Sequence, residues 1–269
     1  PQSPFRQVGN IECRFLYQLL VSWFIYLPFT QTSVKENGHN TLGENIRIHN
    51  NTQDTPFMFF DRFGIVHIMI FASTHFIRMI DGAPNPFFGV CTLATCKPKI
   101  RKHAQVDDWI VGTGSKSYGL EGRLVFAMKV AETLTFDNYW ADLRFLRKKP
   151  NLSGSLKQAY GDNIYHRNPK TGRWLQENSH HSLANGCPNP KNIQHDTQVN
   201  RVLVATAFTY WGASGPMIPR RFRQYQGYDV CSGRGHRCHF PQDLIVSFIA
   251  WIQSIPVTGY VGQPSEFGA

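Results

Sequence analysis

The sequence predicts an α+β domain, built on a small mixed β-barrel or curved sheet with a long inserted loop and a C-terminal helix. Three observations carry this. Residues 123–132 alternate Leu124, Phe126 and Met128 with Val125, Ala127 and Lys129; both faces of that strand are largely apolar, so it sits centrally. Residues 241–252 place Leu244, Ile245, Phe248, Ile249 and Ile252 on one face at helical spacing. Between them, residues 144–198 are polar, rich in Gly, Asn and Pro, and poor in aliphatics. They read as a long insertion with little regular structure, and such loops are often functional.

The elements follow in order. Leu16–Phe29 is apolar but interrupted by Gln18 and Ser22 and ended by Pro28; it is shorter than the ~20 residues a membrane-crossing helix needs. Arg14 precedes it, as in a signal anchor, without a convincing cleavage site after it. Residues 31–55 read as coil. Residues 1–68 are therefore expected to be an extension outside the fold, poorly ordered or translated from upstream, with Met69 a natural start and 69–269 the domain. Ile70–Arg78 reads as the first strand and 83–89 as a turn-rich loop. Lys97–Ala104 reads as a short helix, because Pro98 suits a first helical position. Trp109–Gly112 is a buried strand, Phe136–Leu143 a short helix, and 199–205 and 208–211 are strands. Gly259–Val261 adds an edge strand.

Net charge is +10. Residues 1–68 hold five basic and five acidic side chains, so the whole excess lies in 69–269. A basic excess confined to one segment suggests a polyanionic partner, most simply nucleic acid; a solvated basic surface is the competing explanation. The cysteines Cys13, Cys91, Cys96, Cys187, Cys231 and Cys238 are scattered without repeated CxxC spacing. Neither a disulfide scaffold nor a zinc signature follows, and a reducing cytoplasm is the default expectation.

Several motifs stand out in order: Ala83-Pro84-Asn85-Pro86-Phe87, Cys91 through Arg101, Asp108 through Ser115, Tyr139-Trp140-Ala141-Asp142, Asp162 through His166, Ser179-His180-His181-Ser182, His195-Asp196-Thr197, Tyr210-Trp211-Gly212 and Gly233-Arg234-Gly235-His236. Together they resemble the nucleotide modification associated domain family, type 2, over about 69–262. The resemblance implies association with phage and bacterial nucleic-acid base-modification systems. It implies a nucleotide or nucleic-acid partner and no membrane partner for 69–269, and it names no cofactor. In one departure, Asp107 stands where the family pattern has Gly before Asp-Trp; Gly tolerates positive φ more readily. The order of elements also resembles the PUA-like barrels, some of which bind modified bases. That is an analogy of fold alone.

The candidate site residues form several groups. Lys97, Lys99 and Arg101 cluster near a short helix and could meet phosphate, as could Arg234 and His236. Arg147–Lys149 and Arg220, Arg221 and Arg223 make further basic clusters. Gly112, Thr113, Gly114 and Ser115 could cradle a phosphate through backbone N–H groups; a plain turn competes. Tyr165 could stack a base and Asn163 read its edge, while Asp162 and His166 could move protons. His181 and His195 are further acid–base candidates. Adjacent histidines on an extended chain point opposite ways, and neither their spacing nor Cys231-x4-His236-x-Cys238-His239 matches a standard zinc site, so no metal site is expected. Tyr210 and Trp211 could wall a base pocket, with a core role as the competitor. Three functions stay open: a nucleic-acid or nucleotide-binding domain, an enzyme using these His and Asp groups, and a structural protein-interaction domain. No nucleophile motif is recognisable. The enzyme reading predicts that Asp162, His166, His181 and His195 converge in one cleft.

Overall fold

Period-two alternation builds the centre of the fold, because successive side chains on a strand face opposite layers. The computed structural model describes residues 68–72, 83–231, 235–264 and 267. The chain divides into units 1–59 and 60–269, and every described residue lies in the second. The expectations for residues 1–67, for the first strand past Ala72 and for Arg234 lie outside the described residues.

A six-stranded sheet is formed by β1 (Ile68–Ala72), β3 (Trp109–Thr113), β4 (Leu124–Lys129), β9 (Ala207–Tyr210), β10 (Gly235–Arg237) and β11 (Gly259–Tyr260), in the order β10-β1-β3-β4-β9-β11. The β1–β3 and β9–β11 pairs are parallel and the rest antiparallel. A second sheet, in the order β2-β8-β5, joins β2 (Cys91–Leu93), β8 (Val202–Ala205) and β5 (Glu132–Leu134). The remaining pair is the hairpin of β6 (Tyr165–Arg167) and β7 (Trp174–Gln176).

The alternation sorts side chains into layers. Ile68, Ile70, Trp109, Val111 and Ala127 pack on one face of the large sheet against Leu244, Ile245, Phe248, Ile249 and Ile252 of helix α6 (Gln242–Gln253). Met69, Ile110, Val125 and Met128 face the other way, onto Cys91, Leu93, Leu203 and Ala205 of the small sheet. Val202 and Val204, pointing away from that layer, meet Phe136, Tyr139, Phe145, Ile164 and Tyr165. Each buried aliphatic or Phe side chain is worth roughly 1.5–3 kcal/mol. This packing, rather than the modest helix propensity of its β-branched residues, holds α6.

Mixed α and β structure is as expected, but among the described residues no sheet closes into a barrel. The reason lies in the long central strand. It breaks at Val130–Ala131, where Ala131 N–H already bonds Val204 O. Residues 124–129 stay in one sheet and 132–134 join the other, so two layers stack instead of one closing.

The inserted segment is also more regular than expected. After a 3-10 turn (Leu143–Lys148) it forms α3 (Leu156–Ala159), the β6–β7 hairpin and α4 (Pro190–Thr197). These elements are short, and the buried residue of α4 is Asp196, so no apolar period announces them. The helices α1 (Pro98–His103) and α2 (Phe136–Ala141) are as expected. Asp107 does occupy a glycine-like turn, at φ 74°.

Candidate active site

Strand β2 runs into α1 through residues 94–97, and Cys96 sits in that turn. Cys96 (φ 53°) and Lys97 (φ 43°) are both left-handed. Each such non-glycine residue costs roughly 1–3 kcal/mol and persists only where its surroundings over-determine it. Here they do. Asp196 Oδ1 accepts the Cys96 N–H at 2.8 Å, and Arg101 Nε donates to Cys96 O at 3.0 Å. A nucleophile raised on a tight strand-to-helix turn is a known way to expose a reacting atom.

The Cys96 Sγ lies 4.0 Å from His181 Nε2. On the opposite edge of the ring, His181 Nδ1 is 3.2 Å from Asp196 Oδ2, an oblique ion-pair contact short of hydrogen-bond alignment. The same oxygen accepts from Tyr165 OH at 2.8 Å. Gln176 Nε2 donates to Tyr165 OH at 3.1 Å and to His181 O at 3.2 Å, and Asn192 Nδ2 donates to His181 O at 2.7 Å. Cys96 is half-buried, while His181, Asp196 and Tyr165 are buried.

Burial alone would depress the His181 pKa, but Asp196 and Cys96 reverse that and raise it to about 9. Burial would raise the Asp196 carboxyl, yet His181 and Tyr165 hold it below its ordinary value. The two partners therefore favour the charged pair. Neighbouring His180 is driven down to about 3, by burial first and by His181 second, so it stays neutral. The two histidine rings meet edge-on at 4.5 Å, and His180 faces Tyr160 instead of Cys96.

Arg101 has a different place from the one expected. It is wholly buried, and its guanidinium donates to four backbone carbonyls: Cys96, Val199, Arg201 and Asp196. It clamps both ends of the site and cannot reach a phosphate. Tyr165 is buried against Phe136 and orients Asp196, so no face is open to a base.

Of the four acid–base candidates, only His181 joins this centre. Asp162 lies in a separate buried network, accepting from Thr92 Oγ1 (2.7 Å) and Tyr139 OH (2.8 Å). Asn163 is buried with its Nδ2 on Tyr139 O. His166 stacks on Trp140 at 4.1 Å and meets Glu177 at 2.8 Å. His195 is exposed, because one step along α4 turns the side chain about 100° from the inward Asp196.

The remaining candidates are also placed. At Gly112 a Cβ would run into the Phe126 ring, and at Gly114 into the Leu120 carbonyl. Close packing therefore accounts for both glycines. Thr113 is buried in β3, Gly114 N–H bonds Arg123 O, and Ser115 Oγ caps a 3-10 turn, so this segment is no open phosphate cradle. Tyr210 and Trp211 are core residues. Lys97 is half-buried, whereas Lys99 and His236 are exposed, and Lys99 and His103 lie close enough to lower the His236 pKa after burial does so. A small basic face survives there.

Sequence reasoning missed Cys96 and the role of Asp196. Each lies inside a motif that had been singled out, but nothing in the sequence says that Cys96, His181 and Asp196 converge across 100 residues. The one local signal was a cysteine just before the first-turn proline of a helix.

Fold and site together define an α+β domain with a cysteine–histidine–aspartate centre at a strand-to-helix turn. Residues 76–269 match nucleotide modification associated domain 2, and the chain belongs to that family, which its description ties to nucleotide modification. No curated protein and no solved structure matches the chain. Among the described residues, no helix is long and apolar enough to cross a membrane.

Proposed function

We propose that residues 69–269 form a cysteine-nucleophile enzyme of nucleotide modification, acting on an acyl-type carbon of a modified nucleobase, either in nucleic acid or in a free nucleotide. Cys96 Sγ attacks that carbon as the thiolate, its proton already held on His181 Nε2. Asp196 stabilises the imidazolium. His181 then returns the proton to the departing nitrogen or oxygen, and water, deprotonated by His181, releases the thioester. One observation carries the reading: a half-buried thiol 4.0 Å from an imidazole that is itself backed by a buried carboxylate. The family's tie to nucleotides supports the substrate class, as does the basic charge of the domain.

A second reading is favoured by one fact. The donor atoms of Cys96, His181 and Asp196 all lie within 4.8 Å of one another, and these ligand types suit zinc. Iodoacetamide labelling followed by peptide mass spectrometry separates the two. The enzyme reading expects Cys96 to be alkylated at least about tenfold faster than in His181→Gln, with added zinc giving little protection. Equal rates in the two proteins count against the pairing. Full protection by one equivalent of zinc favours the metal centre.

A further inference from the structure

A second feature lies apart from the cysteine centre. A groove of about 750 Å³ is lined by Phe87, Phe88, Arg147, Lys157, Tyr260 and Lys129, among others. Among the described residues no carboxylate lines it. Lys129 is balanced by Asp107 at 2.8 Å. Arg147 and Lys157 are exposed and, among the described residues, neither is paired with a carboxylate. They lie on aromatic faces instead. The Arg147 guanidinium is 4.3 Å from the Phe88 ring centre, and Lys157 Nζ is 4.4 Å from that of Tyr260 and 6.0 Å from that of Phe87.

The rings are held rigidly. Phe88 is left-handed at φ 63°, an outlier for a bulky residue. The chain segment around its turn is fastened by Lys148 Nζ, which donates to Asn85 O, Asn85 Oδ1 and Val90 O at 2.7–2.8 Å. Consecutive residues thus divide the work: Lys148 anchors the segment from inside and Arg147 covers the ring outside. Tyr260 is braced by Phe87 edge-on at 5.3 Å and by Tyr210 stacked at 6.1 Å. Its hydroxyl is buried without a hydrogen-bond partner among the described residues. A chain of rings leads from here towards the cysteine centre: Phe87 to Phe267 (5.5 Å), Phe267 to Tyr160 (5.5 Å) and Tyr160 to His180 (5.1 Å).

We infer that this groove binds single-stranded nucleic acid. The inference rests on the nucleotide reading above and names the partner that would present the base. Fixed, half-buried aromatic rings beneath unpaired cations are what unstacked bases and a phosphodiester chain require: bases stack on the rings while phosphates draw the cations off them. A duplex keeps its bases stacked on each other, so it uses the cations alone. This assigns base stacking to Phe88 and Tyr260, and phosphate contact to Arg147 and Lys157.

The test is fluorescence anisotropy on the full chain, with a labelled 12-nucleotide oligo-dT and a duplex of the same length, at two salt concentrations. Wild type is expected to bind the single strand at least about tenfold tighter than the duplex. Phe88→Ala should weaken single-strand binding about tenfold, and Arg147→Ala with Lys157→Ala should flatten the salt dependence. Both cations are exposed, so the double variant remains informative if Phe88→Ala fails to fold. Cys96→Ala should bind as wild type does. Unchanged binding in the double variant, or equal affinity for duplex and single strand, overturns the inference. Intact binding by a protein whose Cys96 proves unreactive would leave the groove standing and remove the enzyme reading alone.

Discussion

Two buried polar networks in this domain are built from nearly the same parts. Each has a carboxylate, a tyrosine hydroxyl donating to it at 2.8 Å, a buried cation bonded to backbone carbonyls, and a cysteine. In one they are Asp162, Tyr139, Lys148 and Cys91; in the other Asp196, Tyr165, Arg101 and Cys96. What differs is closure. Cys91 is sealed in the core, and burial pushes its thiol up to about 12. Burial also raises the Asp162 carboxyl, against the pull of Lys148. Cys96 stands half-buried beside an imidazole, and the Asp196 carboxyl is held low. The same inventory makes a structural tie when every atom is enclosed and, on the function proposed above, a reactive centre when the thiol is left half-exposed.

Five substitutions probe that contrast, from the largest expected effect to the smallest. Cys96→Ser should lower turnover by at least about 10³-fold with little change in melting temperature, while Cys91→Ser leaves turnover per folded molecule nearly intact. Comparable losses from both would erase the distinction. Asp162→Asn leaves Lys148 buried without its countercharge and should cost about 3–5 kcal/mol, seen as a fall in Tm of roughly 6–20 °C; an unchanged Tm would show that the network is not a tie. Arg101→Lys loses the planar fork that spans several carbonyls. It should slow alkylation of Cys96 about tenfold, measured on protein shown folded by circular dichroism.

The smallest effect lies in pH dependence, where the networks have opposite signs. His181 has a folded pKa of about 9 against an ordinary 6.5. Its stabilisation is fully present below pH 6.5 and is lost as pH rises through about 9. Lys148 is lowered by burial from 10.5 to about 8, so the unfolded chain binds more protons between those values and stability there rises with pH. Asp196→Asn should remove only the first slope. The wild-type minus variant difference, from urea titrations, should shrink between about pH 6.5 and pH 9 by roughly 1–3 kcal/mol. A difference flat in pH would mean that His181 and Asp196 are not coupled.

Much of the scaffold could be read in advance. The alternation at 124–129, the apolar face of α6 and Pro98 at a helix start are local patterns, and each appears where expected because periodicity and backbone restriction act over a few residues. The basic, motif-rich segment identified the family for the same reason. The barrel was not decided locally, since whether a long apolar strand closes or crosses between sheets depends on which neighbour Ala131 meets. The site was decided least of all. Arg101 and Lys99 look alike in sequence, and only burial among the carbonyls of residues 96, 196, 199 and 201 makes one a clamp while the other stays in solvent. His181 and His195 are equally plausible acids on paper, and helix phase admits Asp196 while turning His195 out. Sequence alone determined the central strand, the helices that begin at Pro98 and Gln242, where the charge lies and to which family the chain belongs, but not the short elements of the inserted segment. The tertiary structure decided which polar side chains meet, because burial and the convergence of Cys96, His181 and Asp196 are set by long-range packing that local chemistry does not encode.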